Sequence, residues 1–313
     1  MKAPISFIIP TRNEERNIRD AIGSVASWAD EVFVLDSYSE DRTVEFAKAM
    51  GVHVAQRRFD NFAAHKNWAL DNLPLGNEWV FFLDADERVP PQLRTEIAEA
   101  TVGPGCAWDG YFVGMKQLFM GSEIAHGGWF PNFRLLLFKH RVGRYEQRIV
   151  HEHLILRGKA GRLKNLLIHD DRKGIHQYFQ RHNVYSTMEA LEAHQYLTGE
   201  AKDYSLAGAL LGSTPERRRR LKQWAYRHLP FRPLFKFLWS YGLKRGFLDG
   251  RVGFRYCLLQ SFYEYQVSLK LIELRSDPTS PMLRYASPPS LKAAVDGSDS
   301  ASDCSRESRS AGI

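Results

Sequence analysis

Five apolar residues, Trp79-Val80-Phe81-Phe82-Leu83, run directly into Asp84-Ala85-Asp86-Glu87. A run this short, aromatic and β-branched predicts a strand buried on both faces. Charged side chains are costly inside such a strand, so the acidic cluster must sit at its C-terminal mouth. Open α/β sheets bind their ligands at that edge. Two carboxylates two residues apart can share one hard divalent cation, or divide between a metal and a ribose. A solvated strand-to-turn junction would carry the same letters, so the rest of the chain must decide.

The same layout recurs upstream. Ile5 to Ile9 reads as a buried strand followed by the polar loop Pro10-Thr11-Arg12-Asn13-Glu14-Glu15. Glu31 to Leu35 reads as a second strand, ending at Asp36, and Val52 to Ala55 as a third. Between them, Ile18, Ala21, Ile22 and Val25 have helical spacing. Arg42 to Met50 is a second amphipathic helix closed by Gly51, and Phe62 to Leu73 a third, broken by Pro74 and Gly76. Strands alternating with helices predict an α/β fold with a parallel, doubly wound sheet. Parallel strands end on one edge, so topology alone brings Asn13, Asp36 and Asp84 towards one another. The first strand is not followed by Gly-x-Gly-x-x-Gly, and no Gly-Lys-Ser/Thr loop occurs. Both disfavour the usual dinucleotide and phosphate loops. Any nucleotide here must be held by side chains and a metal.

With 313 residues and 44% hydrophobic content, the chain has room for one large domain, or for one domain plus an appendage. Cys106, Cys257 and Cys304 form no framework or metal spacing, which fits a reducing cytosol. The start of the chain does not read as a signal peptide, and no run of about 18 apolar residues predicts a transmembrane helix. The net charge of +7 points to an anionic partner.

Three segments together carry a resemblance. Ile8-Ile9-Pro10-Thr11-Arg12-Asn13-Glu14-Glu15, Leu35-Asp36-Ser37-Tyr38-Ser39-Glu40-Asp41-Arg42-Thr43 and Asp84-Ala85-Asp86-Glu87 are similar, in order and spacing, to the N-terminal half of family 2 glycosyltransferases with the GT-A fold. Bacterial members that extend lipopolysaccharide cores or other lipid-linked glycans with glucose are the nearest in kind. The resemblance implies that Pro10, Thr11 and Glu14 line a uridine pocket and that Asp36 accepts a hydrogen bond from uracil. It further implies that Lys66 approaches the nucleotide or its diphosphate, that Asp84 lies by the ribose or the metal, and that Asp86 is the principal metal ligand. The family's turn usually carries a second Asp and a Gly where Ser37 and Tyr38 stand here. Read without the family, Glu14 is a helix-start carboxylate, Asp36 a turn cap and Lys66 a solvated lysine.

The middle section reads as the acceptor side. Gly110 to Met115 and Asn132 to Phe138 read as strands. Between them, glycines beside aromatics suit a loop close to a ligand, with Trp129 stacking on a sugar or filling the core. Arg134 resembles an arginine that meets phosphate in related enzymes. Ile149-Val150-His151-Glu152-His153 resembles the family's acceptor-side motif. Inverting transfer needs one general base for the acceptor hydroxyl. Glu152 is the residue we assign, with Glu146 and Asp170 as runners-up. A leaving diphosphate calls for Mg²⁺ or Mn²⁺ on oxygen ligands. By resemblance, His169 joins Asp86 and Asp84 at that metal; its plain alternative is a structural histidine at a strand end. The His151/His153 spacing does not fit zinc.

After Gln177 to Leu197, a helix, the character changes. Pro215 to Lys222 is strongly basic, and Phe231, Leu234, Phe235, Leu238 and Trp239 follow helical spacing amid further basic residues. Val252 to Leu274 is a second helix, rich in Phe and Tyr. Basic charge beside an aromatic face suits an anionic membrane surface; no signature accompanies it for nucleic acid. The expected organisation is a transferase domain over 1–200, a helical membrane-associating extension over 201–275, and a disordered tail over 276–313. The expected protein is an inverting, metal-dependent transferase of a hexose from a nucleotide sugar, UDP-glucose, to a lipid-linked or lipopolysaccharide-type glycan acceptor. Its place would be the cytoplasm, peripheral on the inner face of the membrane. The rival is a non-catalytic, membrane-associated module that binds a nucleotide sugar or glycan. A sugar nucleotidyltransferase would need a glycine-rich basic loop after the first strand, which Pro10 to Asn13 does not supply.

Overall fold

The structure, a computed structural model, describes residues 2–102, 108–128, 130, 132–146, 153–198, 229, 231–277 and 279–286. Trp129, Glu152, the 215–222 basic run and most of the expected tail lie outside the described residues.

The four expected N-terminal strands form: β1 (Ala3–Thr11), β2 (Ala29–Asp36), β3 (His53–Gln56) and β4 (Trp79–Phe82). Helices α1 (Ile18–Val25), α2 (Thr43–Ala49) and α3 (Phe62–Asn72) alternate with them. The strands lie side by side in parallel, in the order β3-β2-β1-β4. Next come β5 (Glu87–Arg88), α4 (Pro91–Val102), β6 (Gly110–Phe119), β7 (Ser122–Ile124) and β8 (Asn132–Lys139). They are followed by β9 (Gly143–Tyr145), β10 (Leu154–Leu156) and β11 (Ala160–His169). Among the described residues the sheet continues from β4 as β8-β6-β11-β5, with β7 on the side of β6. β8 runs antiparallel to β4 and to β6, while β11 is parallel to β6. The α/β architecture expected from the sequence is present. Its parallel half carries the strand ends expected to meet the nucleotide, and its mixed half those expected on the acceptor side.

Side-chain alternation explains why the first strands are apolar throughout. Ile5, Phe7, Ile9 and Phe81 face one core with Ile18, Ile22, Leu93 and Ile97. Ile8, Val80 and Phe82 face the other with Ala63, Ala69 and Leu70 of α3. Phe81 stacks on Phe7 at 5.0 Å, and Phe82 meets Tyr145 edge-on at 5.3 Å. Burying each such ring contributes roughly 1.5–3 kcal/mol. A strand filled on both faces leaves no place for charge until it ends.

The C-terminal helices are α5 (Gly174–Thr198), α6 (Arg232–Phe237) and α7 (Gly250–Ser276). A π-helical stretch, Leu238–Leu243, extends α6, and a 3₁₀ turn, Gly246–Asp249, leads into α7. Ala190 and Leu191 of α5 pack on Val267 and Leu274 of α7. The Lys270 ammonium donates to the Asn183 carbonyl, Ser186 Oγ and Thr187 Oγ1 at 2.5, 2.8 and 2.7 Å, fastening the two helices. Among the described residues no helix is long and apolar enough to cross a membrane.

Candidate active site

β4 stops at Phe82, and residues 84–86 turn the chain into β5. That two-residue strand pairs antiparallel with the end of β11, Glu87 against His169 and Arg88 against Ile168. The Asp170 N–H donates to the Asp86 carbonyl at 2.8 Å, closing the loop. His169 Nε2 lies 3.3 Å from Asp86 Oδ2, and the Gln117 amide lies 2.9 Å from Nδ1, fixing the ring. Burial alone would lower the His169 pKa, but Asp86 more than reverses this and raises it to about 9. Burial works against the Asp86 charge, yet His169, with Arg181 and Lys173, holds its pKa well below the usual carboxylate range.

Arg134 reaches this loop from β8. It donates to Asp84 Oδ2 at 3.0 Å and to Glu87 Oε1. Glu87 is fully buried, and its Oε2 accepts the Asp84 N–H at 2.9 Å. Burial pushes the Glu87 pKa up to about 7 against the pull of Arg134. For Asp84 burial also raises the pKa, but Arg134 and Lys66 outweigh it and leave the value lowered. Lys66 itself sits 4.9 Å from the Tyr145 ring centre.

The mouth of β2 is built differently. Asp36 is fully buried, and Oδ1 accepts from Thr11 Oγ1 and Ser39 Oγ at 3.2 and 2.5 Å. Oδ2 accepts from the Ser39 N–H and the Gln56 amide, both at 3.0 Å. These four donors fill the capacity of a carboxylate, so Asp36 is seated as a turn cap. Tyr38, where the family's turn carries glycine, has φ +56° and a half-exposed side chain. Asn13, with φ +51°, ties the β1 loop to the β2 loop: its N–H donates to Ser39 Oγ and its Oδ1 accepts the Glu40 N–H. Pro10 and Thr11 lie in register with Leu35 and Asp36 at this edge.

Glu14 faces the same cleft. Its Oε1 lies 2.5 Å from Lys173 Nζ, and its Oε2 accepts from the Asn17 amide at 2.9 Å. Burial raises its pKa to about 7; Lys173 opposes this, and the Asp86 charge adds to it. Arg181 of α5 pairs with Asp171, and the nearby Tyr185 feels the charges of Asp86, Asp84 and Glu14. Lys173, Arg181 and Tyr185, just before and within the N-terminal part of α5, thus stand close to the carboxylates at the strand ends.

The structure therefore brings Glu14, Lys66, Asp84, Asp86, Arg134 and His169 into one charged cleft. Arg134 is spent on the acidic loop itself. The runner-up Asp170 is engaged by Arg172 at 2.9 Å, and the Glu146 N–H is bonded to the His153 carbonyl. Trp129 and Glu152 fall outside the described residues. Sequence reading missed Glu87, Lys173 and Arg181 as parts of this cleft. Glu87 carried a signal, since it directly follows the two aspartates; Lys173, beside Arg172, and Arg181, inside α5, fall in no spacing that ties them to the strand ends.

Asp86 and His169 are spaced to hold a divalent cation as a pair once the imidazole gives up its Nε2 proton to solvent. An ion bound at about 2.0–2.2 Å to each, at roughly a right angle, needs donors about 3 Å apart. Asp84 is turned to Arg134 instead, and no group of three metal-ligating side chains occurs among the described residues. Mg²⁺ is usually held by one or two carboxylates with substrate oxygens and water completing its shell, a part that Asp86 can take.

The chain is similar to known proteins over part of its length. Residues 6–145 match the model of the glycosyl transferase family 2, and they are a domain of that kind. An uncharacterized glycosyltransferase of Rickettsia bellii is 39% identical over 93 residues, 30% of this chain and 31% of that protein. The matched stretch is thus about a third of the length of that curated relative. The lipopolysaccharide core biosynthesis glycosyltransferase LpsC of Rhizobium meliloti is 26% identical over 196 residues, covering 60% of this chain and 71% of LpsC. Among solved structures, the mannosyltransferase PcManGT of Pyrobaculum calidifontis covers 87% of this chain and 88% of its own, with 16% identity and a TM-score of 0.48.

Proposed function

We propose that this glycosyltransferase domain makes the chain an inverting, metal-dependent hexosyltransferase. It transfers a hexose from a nucleotide sugar, UDP-glucose in our reading, to a lipid-linked or lipopolysaccharide-type glycan at the cytoplasmic face of a membrane. The observation that carries the reading is the closed acidic loop at the mouth of β4, with Asp86 against His169. The similarity to LpsC supports the acceptor class.

Pro10, Thr11, Glu14 and the Asp36-capped turn form the donor edge, with Asp84 on the ribose side. Lys66 and the cations of α5 face the diphosphate. A divalent cation held by Asp86 and His169 would neutralise charge on the departing diphosphate. Arg134 keeps Asp84 and Glu87 in place by pairing with both. Glu152 takes the proton from the acceptor hydroxyl as that oxygen bonds to the anomeric carbon. The bond from that carbon to the diphosphate oxygen breaks on the opposite face, and the nucleoside diphosphate leaves.

A donor screen that measures nucleotide release with and without Mn²⁺ tests the class and the donor. Glu152→Gln should lower turnover by about 10²–10⁴-fold while nucleotide binding persists. Unchanged turnover would remove Glu152 from its role. Binding without turnover by the unaltered protein, on every donor and lipid-linked acceptor tried, would favour the non-catalytic binding module.

A further inference from the structure

The helical hairpin of α6 and α7 presents an apolar face that nothing in the chain's described residues covers. On the α6 side, Leu234, Phe235, Leu238, Trp239 and Leu243 are each more than half exposed. On α7, Phe254, Leu258, Phe262, Tyr265, Leu269 and Ile272 recur every three or four residues, one stripe of the helix, and all are exposed. The opposite stripe, with Tyr256, Val267, Leu271 and Leu274, is the one that is buried. Ring contacts join the two rows across the hairpin, Phe237 to Phe254 at 5.8 Å and Tyr241 to Phe254 at 5.5 Å. Isolated exposed apolar residues need no explanation, but a contiguous two-helix face does.

Charge identifies the occupant. Residues 232–276 hold eight lysines and arginines against three carboxylates, five positive charges in excess. Two of the three carboxylates are already engaged: Glu264 by Arg232, and Asp249 by His126. Lys244, Arg245, Arg251 and Arg255 are exposed around the hairpin's turn. There a pocket of about 480 Å³ is lined by the rings of Tyr241, Phe247 and Phe254 and by Arg251 and Arg255. An aromatic floor under two guanidinium groups, at the N-terminal end of a long helix, suits an anionic headgroup with its acyl chains lying along the apolar rows.

We propose that the α6–α7 face lies in the plane of an anionic lipid bilayer, with the Arg251/Arg255 pocket holding a lipid phosphate. This deepens the functional reading above, on which the lipid-linked nature of the acceptor rests. The hairpin's turn is also bolted to the glycine loop beside the acceptor half of the sheet. Asp249 accepts from the His126 N–H at 2.9 Å and lies 2.6 Å from its Nδ1, and the Gly127 N–H donates to the Lys244 carbonyl at 2.9 Å. Gly127 has φ +76°, and a Cβ there would lie 3.2 Å from Cys257 Sγ. A bilayer under the hairpin would thus hold that loop at the height of the lipid headgroups.

The test is flotation of the full chain with phosphatidylglycerol or phosphatidylcholine vesicles, at low salt and at about 0.5 M salt. Wild type should float with the anionic vesicles, and high salt should weaken this by about tenfold or more. Leu238→Glu/Trp239→Glu should abolish flotation, and Arg251→Glu/Arg255→Glu should erase the preference for anionic lipid. Each variant's fold is checked by circular dichroism and by retained nucleotide binding. Flotation that persists undiminished in both folded variants would overturn the proposal. So would wild-type protein that fails to float, and a concentration-dependent dimer in sedimentation that the Leu238/Trp239 variant dissolves would then show the face to be a contact between copies. Vesicle binding needs no turnover, so a protein that floats but transfers no sugar would refute the transferase reading and leave the membrane face standing.

Discussion

Two strand mouths, those of β2 and β4, flank β1 on the same edge of the sheet, and they hold their carboxylates in opposite ways. At β2, Asp36 is surrounded by neutral donors, two hydroxyls, an amide and a backbone N–H, which use all its lone pairs. At β4, Asp84, Asp86 and Glu87 are held by cations, Arg134 and His169. Neutral donors fix the carboxylate's geometry without offsetting its charge, and they include no cation that another cation could replace. Cationic partners can be displaced by another cation, or can follow charge as it develops on a ligand. One mouth is therefore a fixed frame and the other a chargeable site.

The sharpest way to break this contrast is at Asp86. Asp86→Asn should cut metal-dependent nucleotide release by about 10³-fold, roughly 4 kcal/mol of barrier. Little change in turnover or in Mn²⁺ dependence would mean that the β4 mouth is a frame like its neighbour. Next is Arg134. Arg134→Met leaves Glu87 buried without its cation and should cost about 3–5 kcal/mol in urea unfolding. Adding Glu87→Gln should recover part of that loss, because the two share one interaction; additive costs would deny the coupling.

The β2 mouth should reveal itself through pH. His65 of α3 is buried, with Nε2 3.3 Å from Ser37 Oγ and Nδ1 3.2 Å from an Arg57 nitrogen. Burial, with Arg57, lowers its pKa from 6.5 to about 4. The unfolded chain therefore takes up this proton first. Stability from this residue is full above pH 6.5 and declines as pH falls towards 4, by at most about 3 kcal/mol. His65→Gln should flatten the change in urea midpoint between pH 7 and 5, and a slope as steep as wild type would place the sensitivity elsewhere. The smallest effect is expected at Tyr38. Its left-handed backbone favours glycine, so Tyr38→Gly should stabilise the protein by about 0.5–1 kcal/mol, read as a rise in Tm. A fall in Tm would show that the exposed ring contributes more than the backbone strain costs.

The two mouths also differ in how far the sequence revealed them. β1 to β4 were legible because each is a dense apolar run that ends in turn residues, and a local pattern suffices for such strands. For Asp36 the resemblance implied a bond to uracil and the bare sequence a turn cap, and the local bonds to Ser39 are those of the cap. β5 was not, because Glu87 and Arg88 are charged and pair only where β11 supplies an edge. β11 showed only its apolar end at Leu166 to His169, while its first half, Ala160 to Asn165, is too polar to read as a strand alone. Lys173 and Arg181 reach the cleft through the fold of α5 onto the sheet, a long-range placement that no local spacing encodes. The apolar face of α6 was visible as periodicity and α7 only as a helix rich in Phe and Tyr; which stripe of α7 packs on α5 depended on the tertiary contacts.

The two-residue pairing of β5 with β11 has a consequence for the order of folding. It joins positions about 80 residues apart, a contact whose loop-closure cost must be met before it contributes anything. The parallel half of the sheet draws on nearer neighbours and can assemble while β11 is still unmade. The stretch that carries the family match ends at Tyr145, before His169, Lys173 and Arg181 are reached. A nascent or truncated chain ending there would have three clustered carboxylates and only part of their countercharge. The acidic loop would then be the last piece of the domain to set, and the β5–β11 amides among the later ones to gain protection from hydrogen exchange during refolding.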